Sequence, residues 1–164
     1  MDANIYTNDW DFSHEGASAA ALGPRAECEL FGASIYQLTP GAKWASLHAH
    51  HANEELIVVL AGTPTLRTLD GERELAAGEV VACLRGRRGA HCLENRAEDD
   101  ARVLIVSTML MPEIVEYPER DDVFVMTEPP YTGAPYDPLR GRLLRVFHRT
   151  DGQPVQPDEG TGPA

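Results

Sequence analysis

A group of histidines and glutamates between positions 48 and 91 is the part of this sequence best suited to chemistry. His48 and His50 are two positions apart, and residues at that spacing on a β-strand project from the same face. Glu55 opens the next apolar run, where strand alternation gives it the same face as Ile57 and Val59. The spacing therefore predicts two imidazoles and one carboxylate directed into the interior of a β-structure.

A third histidine lies in a later segment that also has the character of a strand. Three imidazoles and one carboxylate suit a divalent transition metal, with positions left for water, substrate or oxygen. A structural role without metal is the alternative, but it buries two adjacent imidazoles with no evident anionic partner except the glutamate. We predict that the metal ligands are His48, His50, Glu55 and His91. This ligand set does not choose among Fe, Mn, Ni, Zn and Cu.

Two neighbouring residues compete for places in this site. Glu54 precedes the preferred glutamate, and strand alternation sends its side chain to the opposite face from Glu55. His51 likewise has the opposite parity to His50, which favours a position at the rim or outside the ligand shell. Glu55 is therefore the preferred carboxylate.

A basic cluster, formed by Arg85, Arg87 and Arg88, precedes His91 in a turn. One hypothesis assigns Arg87 and Arg88 to substrate binding, as a clamp for a carboxylate or phosphate. The alternative, which is the more common case, is a solvated turn or pairing with nearby carboxylates of Glu72, Glu74 or Glu79. If the clamp exists, replacing both arginines with alanine raises KM for an anionic substrate.

The three cysteines carry no disulfide or zinc-finger pattern. Cys28, Cys83 and Cys92 are an odd number without a CxxC pair. Cys92 follows the inward-facing His91 and is expected to face away from the metal. We interpret Cys83 and Cys92 as small buried thiols of a reduced, cytoplasmic protein.

Composition excludes several classes of partner. The chain has 164 residues, with 14 Lys and Arg against 26 Asp and Glu and a formal net charge of -12. A phosphate backbone would be repelled over most of such a surface, so we expect no nucleic-acid partner. No apolar run approaches the roughly 20 residues that a membrane helix needs, so we expect no membrane partner.

The elements that must position these residues are predicted to be β-strands. Between positions 30 and 112, short runs of Val, Ile, Leu and Thr alternate with turn residues, which indicates an all-β sandwich or barrel. Asp70-Gly71 is expected to form a two-residue hairpin turn. We interpret residues 1–29 as an arm that packs on the core or on a partner subunit. Residues 113–164 are interpreted as a proline-rich extension, outside the central sheet, with one late strand at 143–148 and a mobile tail.

These motifs resemble those of the cupin superfamily. His48, His50, Glu55 and Gly62 fit its first motif, and the second is fitted by Gly78, Gly86, His91 and Asn95. The sequence departs from the second motif in having Leu84 where proline is usual and two extra residues before the histidine. The strings FGASIYQLTPG, NEE and RVLIVSTM further resemble a group of small bacterial single-domain cupins.

The resemblance implies a fold and a range of functions. The implied fold is a single double-stranded β-helix, or jelly-roll barrel, over residues 30–112. The implied function is metal-dependent isomerase, epimerase or dioxygenase chemistry on a small polar or anionic metabolite, in which Glu55 also moves a proton. Thiol dioxygenase chemistry is disfavoured because cupins of that type generally lack the glutamate. The alternative is a non-catalytic cupin that binds a small molecule as a sensor or binding module. A homodimer is expected in either case.

Overall fold

The computed structural model describes residues 3–120 and 122–128, together with the backbone of residues 142–147. These residues form a short helix, α1 (Leu22–Arg25), and one 3-10 turn at Arg87–Gly89. They also form strands β1 (Phe12–His14), β2 (Ala17–Ala21), β3 (Phe31–Leu38), β4 (Lys43–His50), β5 (Glu55–Ala61), β6 (Thr65–Thr68), β7 (Gly71–Glu74), β8 (Val80–Cys83), β9 (His91–Glu94), β10 (Ala101–Thr108), β11 (Glu113–Tyr117), β12 (Asp122–Met126) and β13 (Arg142–Phe147).

The strands form two antiparallel sheets. One has the order β1-β2-β3-β10-β5-β8, and the other has the order β13-β12-β11-β4-β9-β6-β7. Their inner faces enclose the main hydrophobic core, in which Leu38, Ile57, Val59 and Val103 are almost completely buried. Each such side chain contributes about 1.5–3 kcal/mol through burial. The all-β prediction is confirmed.

Alternation along β5 explains why a carboxylate enters this interior. Ile57 and Val59 are 0% and 1% exposed, whereas Leu56, which lies between Glu55 and Ile57, is 41% exposed. Glu55 has the same parity as the two buried residues and is the first residue of the strand. It therefore projects between the sheets where the core begins to open.

The predicted hairpin exists, but its turn is one residue earlier than expected. Thr68 pairs with Gly71, so the two-residue loop is Leu69-Asp70. The Thr68 hydroxyl accepts a hydrogen bond from the Asp70 amide at 3.2 Å and donates one to the Gly71 carbonyl at 3.0 Å. These local bonds close the turn on Thr68 and leave Gly71 in the ladder.

The N-terminal segment packs on its own chain. Strand β2 pairs with β3, and Ala17 and Ala19 belong to the main core. Upstream, the Arg102 guanidinium donates to the Thr7 carbonyl and to Asn8 Oδ1, each at 2.8 Å. The segment interpreted as an arm thus extends the six-stranded sheet and is fastened across β10.

The expectation that residues 113–164 lie outside the central sheet is wrong for β11 and β12. β11 lies inside the seven-stranded sheet, between β4 and β12, and β12 pairs with β13. Both β11 and β12 are free of proline, because Pro112, Pro118 and Pro129 flank these strands without interrupting them. β13 lies where the late strand was expected, at the sheet edge, while His148 lies outside the described residues. Within the described part of the chain, no helix is long and apolar enough to span a membrane.

Candidate metal centre

β4 carries two of the candidate ligands on one face. The ring centroids of His48 and His50 are 5.0 Å apart. A bulge precedes them, because the pairing of β4 with β9 shifts between Trp44 and His48, and Ala45 has φ of 57°. Bulges next to functional sites redirect side chains, and this one sets the two histidines inward.

The third histidine reaches the same place from β9. His91 pairs with His48 in the β4–β9 ladder, and their ring centroids are 4.7 Å apart. The two residues by which the sequence exceeds the family motif are accommodated in the 3-10 turn Arg87–Gly89, so that β9 still begins at His91. The ring is 3% exposed, and its Nδ1 lies 2.9 Å from the Gly89 carbonyl oxygen.

Glu55 enters the centre from the opposite sheet. Its Oε2 lies 2.8 Å from His91 Nε2, and its Oε1 lies 3.7 Å from His50 Nε2. The neighbouring Glu54 is exposed, as strand alternation predicts. The structure therefore brings together the four residues predicted as ligands and leaves the competing carboxylate outside.

The donor atoms fit a metal ion. Ligand atoms of His48, His50 and Glu55 all lie within 4.8 Å of one another, and His91 adjoins them through its contact with Glu55. His48 Nδ1 lies 2.9 Å from the Ser46 carbonyl oxygen, so its Nδ1–H is held by the backbone as in His91. This leaves Nε2 as the nitrogen of each ring that would bind a metal, at about 2.0–2.1 Å, and His91 Nε2 would then give up its contact with Glu55 Oε2.

The ionisation of the cluster follows from its burial and charges. Burial, then repulsion by His91 and His50, lowers the pKa of His48 to about 3. Burial alone would raise the pKa of Glu55, but the charge of His50 and the hydrogen bond from His91 outweigh it and hold that pKa well below its usual range. The neutral His48 and ionised Glu55 are the protonation states in which these groups bind metals.

The other two histidines are stabilised in their charged forms. Burial opposes this, but the negative charges of Glu55 and of Glu113, whose Oε2 lies 3.6 Å from Nδ1, raise the pKa of His50. Hydrogen bonds with Cys83 and Glu55 raise the pKa of His91. A bound cation would take over the role of these protons, and binding would therefore release them.

Sequence reasoning did not place Cys83 beside the site. Cys83 and Cys92 are buried, as expected, and Cys28 is exposed. Cys92 packs in a small cluster with Leu47 and Ala49, residues of β4 that alternate with its two ligands. Cys83, however, pairs with Glu55 in the β5–β8 ladder. Only the pairing of β5 with β8 reveals that proximity.

A cavity of about 160 Å³ opens onto the ligand cluster. Polar and apolar side chains both line it. The polar ones are His48, His50, Asn53, Glu55, Ser107, Thr108 and Glu113, and the aromatic and thioether ones are Tyr36, Trp44, Met109, Met111 and Met126. A small molecule bound here would contact both kinds. A second space of about 30 Å³ lies between the ligands and Leu93 and Ile105.

The structure does not bring the two predicted substrate-binding arginines to these cavities. Arg87 and Arg88 are exposed on the 3-10 turn and line neither space. The Arg87 guanidinium pairs with Glu116 on β11, a partner that sequence reasoning did not consider. Glu113, on the same strand, was also missed, and it lies 3.6 Å from His50 Nδ1. Both contacts depend on β11, which the sequence analysis placed outside the sheet.

Comparisons with known proteins agree with this geometry. The family model described as the cupin domain matches residues 34–107. A solved structure from Silicibacter pomeroyi, described as a sugar phosphate isomerase from a cupin superfamily, is 27% identical, with a TM-score of 0.70 and coverage of 88% of this chain and 83% of that one.

A second solved structure, from Acidithiobacillus ferrooxidans, is named as a proposed sugar phosphate isomerase. The two chains are 25% identical, the match covers 66% of this chain and 69% of the other, and the TM-score is 0.63. A predicted oxalate decarboxylase from Thermotoga maritima, 23% identical over 57% of this chain and 81% of its own, shares the fold at a TM-score of 0.50. No curated protein matches the chain.

Proposed function

Residues 34–107 of this chain are a cupin domain, and from that premise we propose that the protein is a metal-dependent enzyme of isomerase type. Its substrate is a small polar or anionic metabolite, with sugar phosphates as the first class to examine because two similar structures carry that name. The observation that carries the proposal is Glu55, an ionised carboxylate held among three histidines where a cavity opens.

Glu55 is the proton carrier in this proposal. When bound, a divalent metal polarises a substrate carbonyl and makes the neighbouring C–H more acidic. Glu55 then takes the proton from that carbon through a carboxylate oxygen and returns it to the former carbonyl carbon, while the hydroxyl proton passes between the two substrate oxygens. Without metal, His91 Nε2 lies 2.8 Å from Glu55 Oε2, and a metal bound to both groups would take the place of this contact in holding the carboxylate.

Deuterium exchange tests this role. The metal-loaded protein is incubated in D₂O with a panel of aldose and ketose phosphates, and incorporation of deuterium next to the carbonyl is followed by NMR. We expect Glu55→Gln to reduce exchange by about 100-fold or more, in line with the usual contribution of general-base catalysis. Glu54→Gln is the matched control, because Glu54 is adjacent in sequence but exposed, and it retains exchange.

Two outcomes would contradict the enzyme proposal. Equal exchange by both variants would remove Glu55 as the base. If the metal-loaded protein bound a panel member without any exchange or turnover, the alternative of a non-catalytic binding cupin would stand in its place.

Dioxygenase-type chemistry is the second candidate, and the smaller cavity favours it. This space of about 30 Å³ adjoins His48, Glu55 and His91 and is bounded by the apolar side chains of Leu93 and Ile105. It has room for a molecule the size of water or dioxygen. An oxygen electrode with the same substrates and with small carboxylates distinguishes the candidates, because isomerisation consumes no oxygen.

Three further expectations remain proposals. An anion clamp at Arg87 and Arg88 would require the ion pair of Arg87 with Glu116 to open, since both arginines lie outside the cavity. A homodimer and a cytoplasmic location are the other two. The location follows from the reduced cysteines, of which Cys28 is exposed and unpaired.

A further inference from the structure

We propose that Glu113 is a positioning residue of the metal centre, which fixes the ring of His50 so that its Nε2 faces the metal. This inference rests on the proposed function in one respect, namely that His50 is a metal ligand. It concerns a residue on β11, a strand that lies outside residues 34–107, over which the cupin domain model matches.

The imidazole of His50 lies between two carboxylates. Its Nδ1 is 3.6 Å from Glu113 Oε2, and its Nε2 is 3.7 Å from Glu55 Oε1. Glu55 is the carboxylate of the proposed ligand set, so the nitrogen that faces it is the one that would bind metal. Glu113 is on the far side and is 1% exposed. A carboxylate there favours a proton on Nδ1, and the competing pull of Glu55 on Nε2 is weaker because Glu55 is already held by His91 Nε2 at 2.8 Å.

The Glu113 carboxylate is itself held firmly. Its Oε1 accepts hydrogen bonds from the backbone amides of His51 and Ala52, each at 3.0 Å, and of Ile114 at 2.8 Å. These three donors converge on one oxygen, so the carboxylate is oriented with its other oxygen, Oε2, towards His50 Nδ1.

Asn53 ties this carboxylate to the wall of the cavity. Its side-chain amide donates to Glu113 Oε2 and to the Leu110 carbonyl at 3.0 Å. Its Oδ1 accepts from the Thr108 hydroxyl at 2.9 Å and from the Leu110 amide at 2.7 Å. The loop after β4 and the segment before β11 are thereby joined by four hydrogen bonds of one buried side chain, which help to set the position of Glu113 relative to His50.

The other two histidines of the centre show the same arrangement with a different partner. His48 Nδ1 and His91 Nδ1 each lie 2.9 Å from a backbone carbonyl oxygen, that of Ser46 and that of Gly89 respectively. A partner on Nδ1 fixes the tautomer and the ring plane of a metal-binding histidine. Among the partners described for His50, the one that faces Nδ1 is Glu113. The three rings are thus oriented alike, two by carbonyl groups and one by a carboxylate.

A matched control lies three residues further along the same strand. Glu116 Oε2 is 3.0 Å from Nε2 of His51, the histidine next to His50 that is directed away from the centre. The two carboxylates thus each contact one of two adjacent histidines, and only one of these histidines belongs to the ligand set. Replacing each glutamate with glutamine removes one negative charge and keeps the side-chain length.

The test combines a ring-tautomer measurement with metal titration. In the metal-free protein, at a pH where the ring is neutral, two-bond ¹H–¹⁵N NMR is expected to place the His50 proton on Nδ1, with His50→Gln identifying the signal. In Glu113→Gln, an oxygen at the Oε1 position can keep its three backbone amide donors, whereas the new NH₂ group loses the bond from Asn53, faces His50 Nδ1 and favours a proton on Nε2. We expect the affinity for Co²⁺ to fall by about 10–100-fold in this variant and to be unchanged in Glu116→Gln.

Several outcomes overturn the inference. They are a proton on Nε2 of His50 in the metal-free protein, equal Co²⁺ affinity of Glu113→Gln and the unaltered chain, or an equal loss in both glutamine variants. The first measurement needs no substitution of Glu113, so the inference could still be contradicted if Glu113→Gln failed to fold. If the unaltered chain binds no Co²⁺, the proposed function fails, while the His50 tautomer still reports on Glu113 separately.

Discussion

At the scale of residues, the three histidines of the centre are chemically identical but lie in different electrostatic surroundings. His48 faces the other two rings and is buried, which lowers its pKa to about 3, whereas Glu55 contacts both His50 and His91 and raises theirs. The centre without metal therefore holds protons on two rings and excludes one from the third. The stability of the metal-free protein must therefore depend on pH, and a substitution of His48 reveals the contribution of this ring.

The first prediction concerns His48 and acid stability. The unfolded chain protonates this ring near pH 6.5, but the folded chain resists protonation until about pH 3, so folding stability is lost as pH falls below 6.5. The loss is at most about 1.4 kcal/mol per pH unit. We expect His48→Gln to flatten the fall in the free energy of unfolding of metal-free protein between pH 6.5 and 4.5, as measured by urea denaturation.

The difference between variant and unaltered chain isolates this effect. His50 and His91 contribute in the opposite sense, because their raised pKa values give stability that is present below pH 6.5 and is lost at higher pH. Both remain in the variant, so most of their contribution cancels. A difference in unfolding free energy that stays constant with pH would contradict the buried neutral state of His48.

The inward orientation of the proposed ligands could be predicted from the sequence because it is set locally. Alternation on β4 and β5 determines that His48, His50 and Glu55 face inward and that Glu54 does not. Glu113 could not be predicted in this way. Its contact with His50 arises from the pairing of β11 with β4, where Val115 lies opposite His50 across about 65 positions of sequence. Strand pairing at such separations leaves no periodicity in a single sequence.

At the scale of elements, the 3-10 turn Arg87–Gly89 determines where His91 lies. A Cβ atom on Gly89 would lie 1.7 Å from the Leu84 carbonyl oxygen, so the turn requires glycine for close approach of two backbones. The Gly89 carbonyl also contacts His91 Nδ1. The absence of proline at Leu84 and the longer loop therefore do not displace the ligand, because this turn takes up the added length.

The second prediction is that Gly89→Ala damages both stability and the metal centre. The clash with backbone forces the turn open, which we expect to cost about 3 kcal/mol in unfolding free energy and to weaken Co²⁺ binding more than tenfold. Gly78→Ala is the control. Gly78 has φ of +87° but open space around its Cβ position, so we expect a loss of about 1 kcal/mol and unchanged Co²⁺ binding. Equal effects of both substitutions on Co²⁺ binding would contradict the role of the turn.

Other elements show where pattern reasoning succeeds and fails. The all-β architecture is confirmed by the two sheets, and the resemblance to cupins by the family model that matches residues 34–107. The hairpin was misplaced by one residue because the hydroxyl of Thr68 closes the turn, and a sequence pattern does not show which of two adjacent pairs it will favour. The high proline content of the whole segment after Met111 predicts no central strand there, but none of these prolines lies within β11 or β12.

At the scale of the whole molecule, the formal net charge of -12 does not describe the centre. Inside the barrel, the carboxylates of Glu55 and Glu113 face histidines and are balanced by them. Many other acidic side chains lie on the surface, where Arg96 pairs with Glu72 and Glu94, for example. Such exposed pairs contribute little to stability. The negative surface instead opposes association with other acidic molecules.

The third prediction concerns association of two copies. β8 is an edge strand, and exposed apolar side chains lie on and near it, with Val80 at 55%, Leu56 at 41% and Leu84 at 39%. We expect a homodimer in sedimentation velocity, weakened at least tenfold by Val80→Lys because a lysine on an edge strand disfavours pairing. Leu69→Lys, in the hairpin loop, is the control and keeps the dimer. A monomer at all concentrations, or a dimer unaffected by Val80→Lys, would contradict this arrangement.

Metal binding is the claim on which the functional account depends, and it can be measured without a substrate. Metal-free protein is titrated with Co²⁺, and stoichiometry and affinity are determined by absorption spectroscopy and by elemental analysis after dialysis. We predict one ion per chain, a loss of affinity of at least 100-fold in His48→Ala and in His91→Ala, and no loss in His14→Ala, whose histidine is 61% exposed outside the cluster. No retained ion in the unaltered chain, or equal retention by the His48 and His91 variants, would contradict the account.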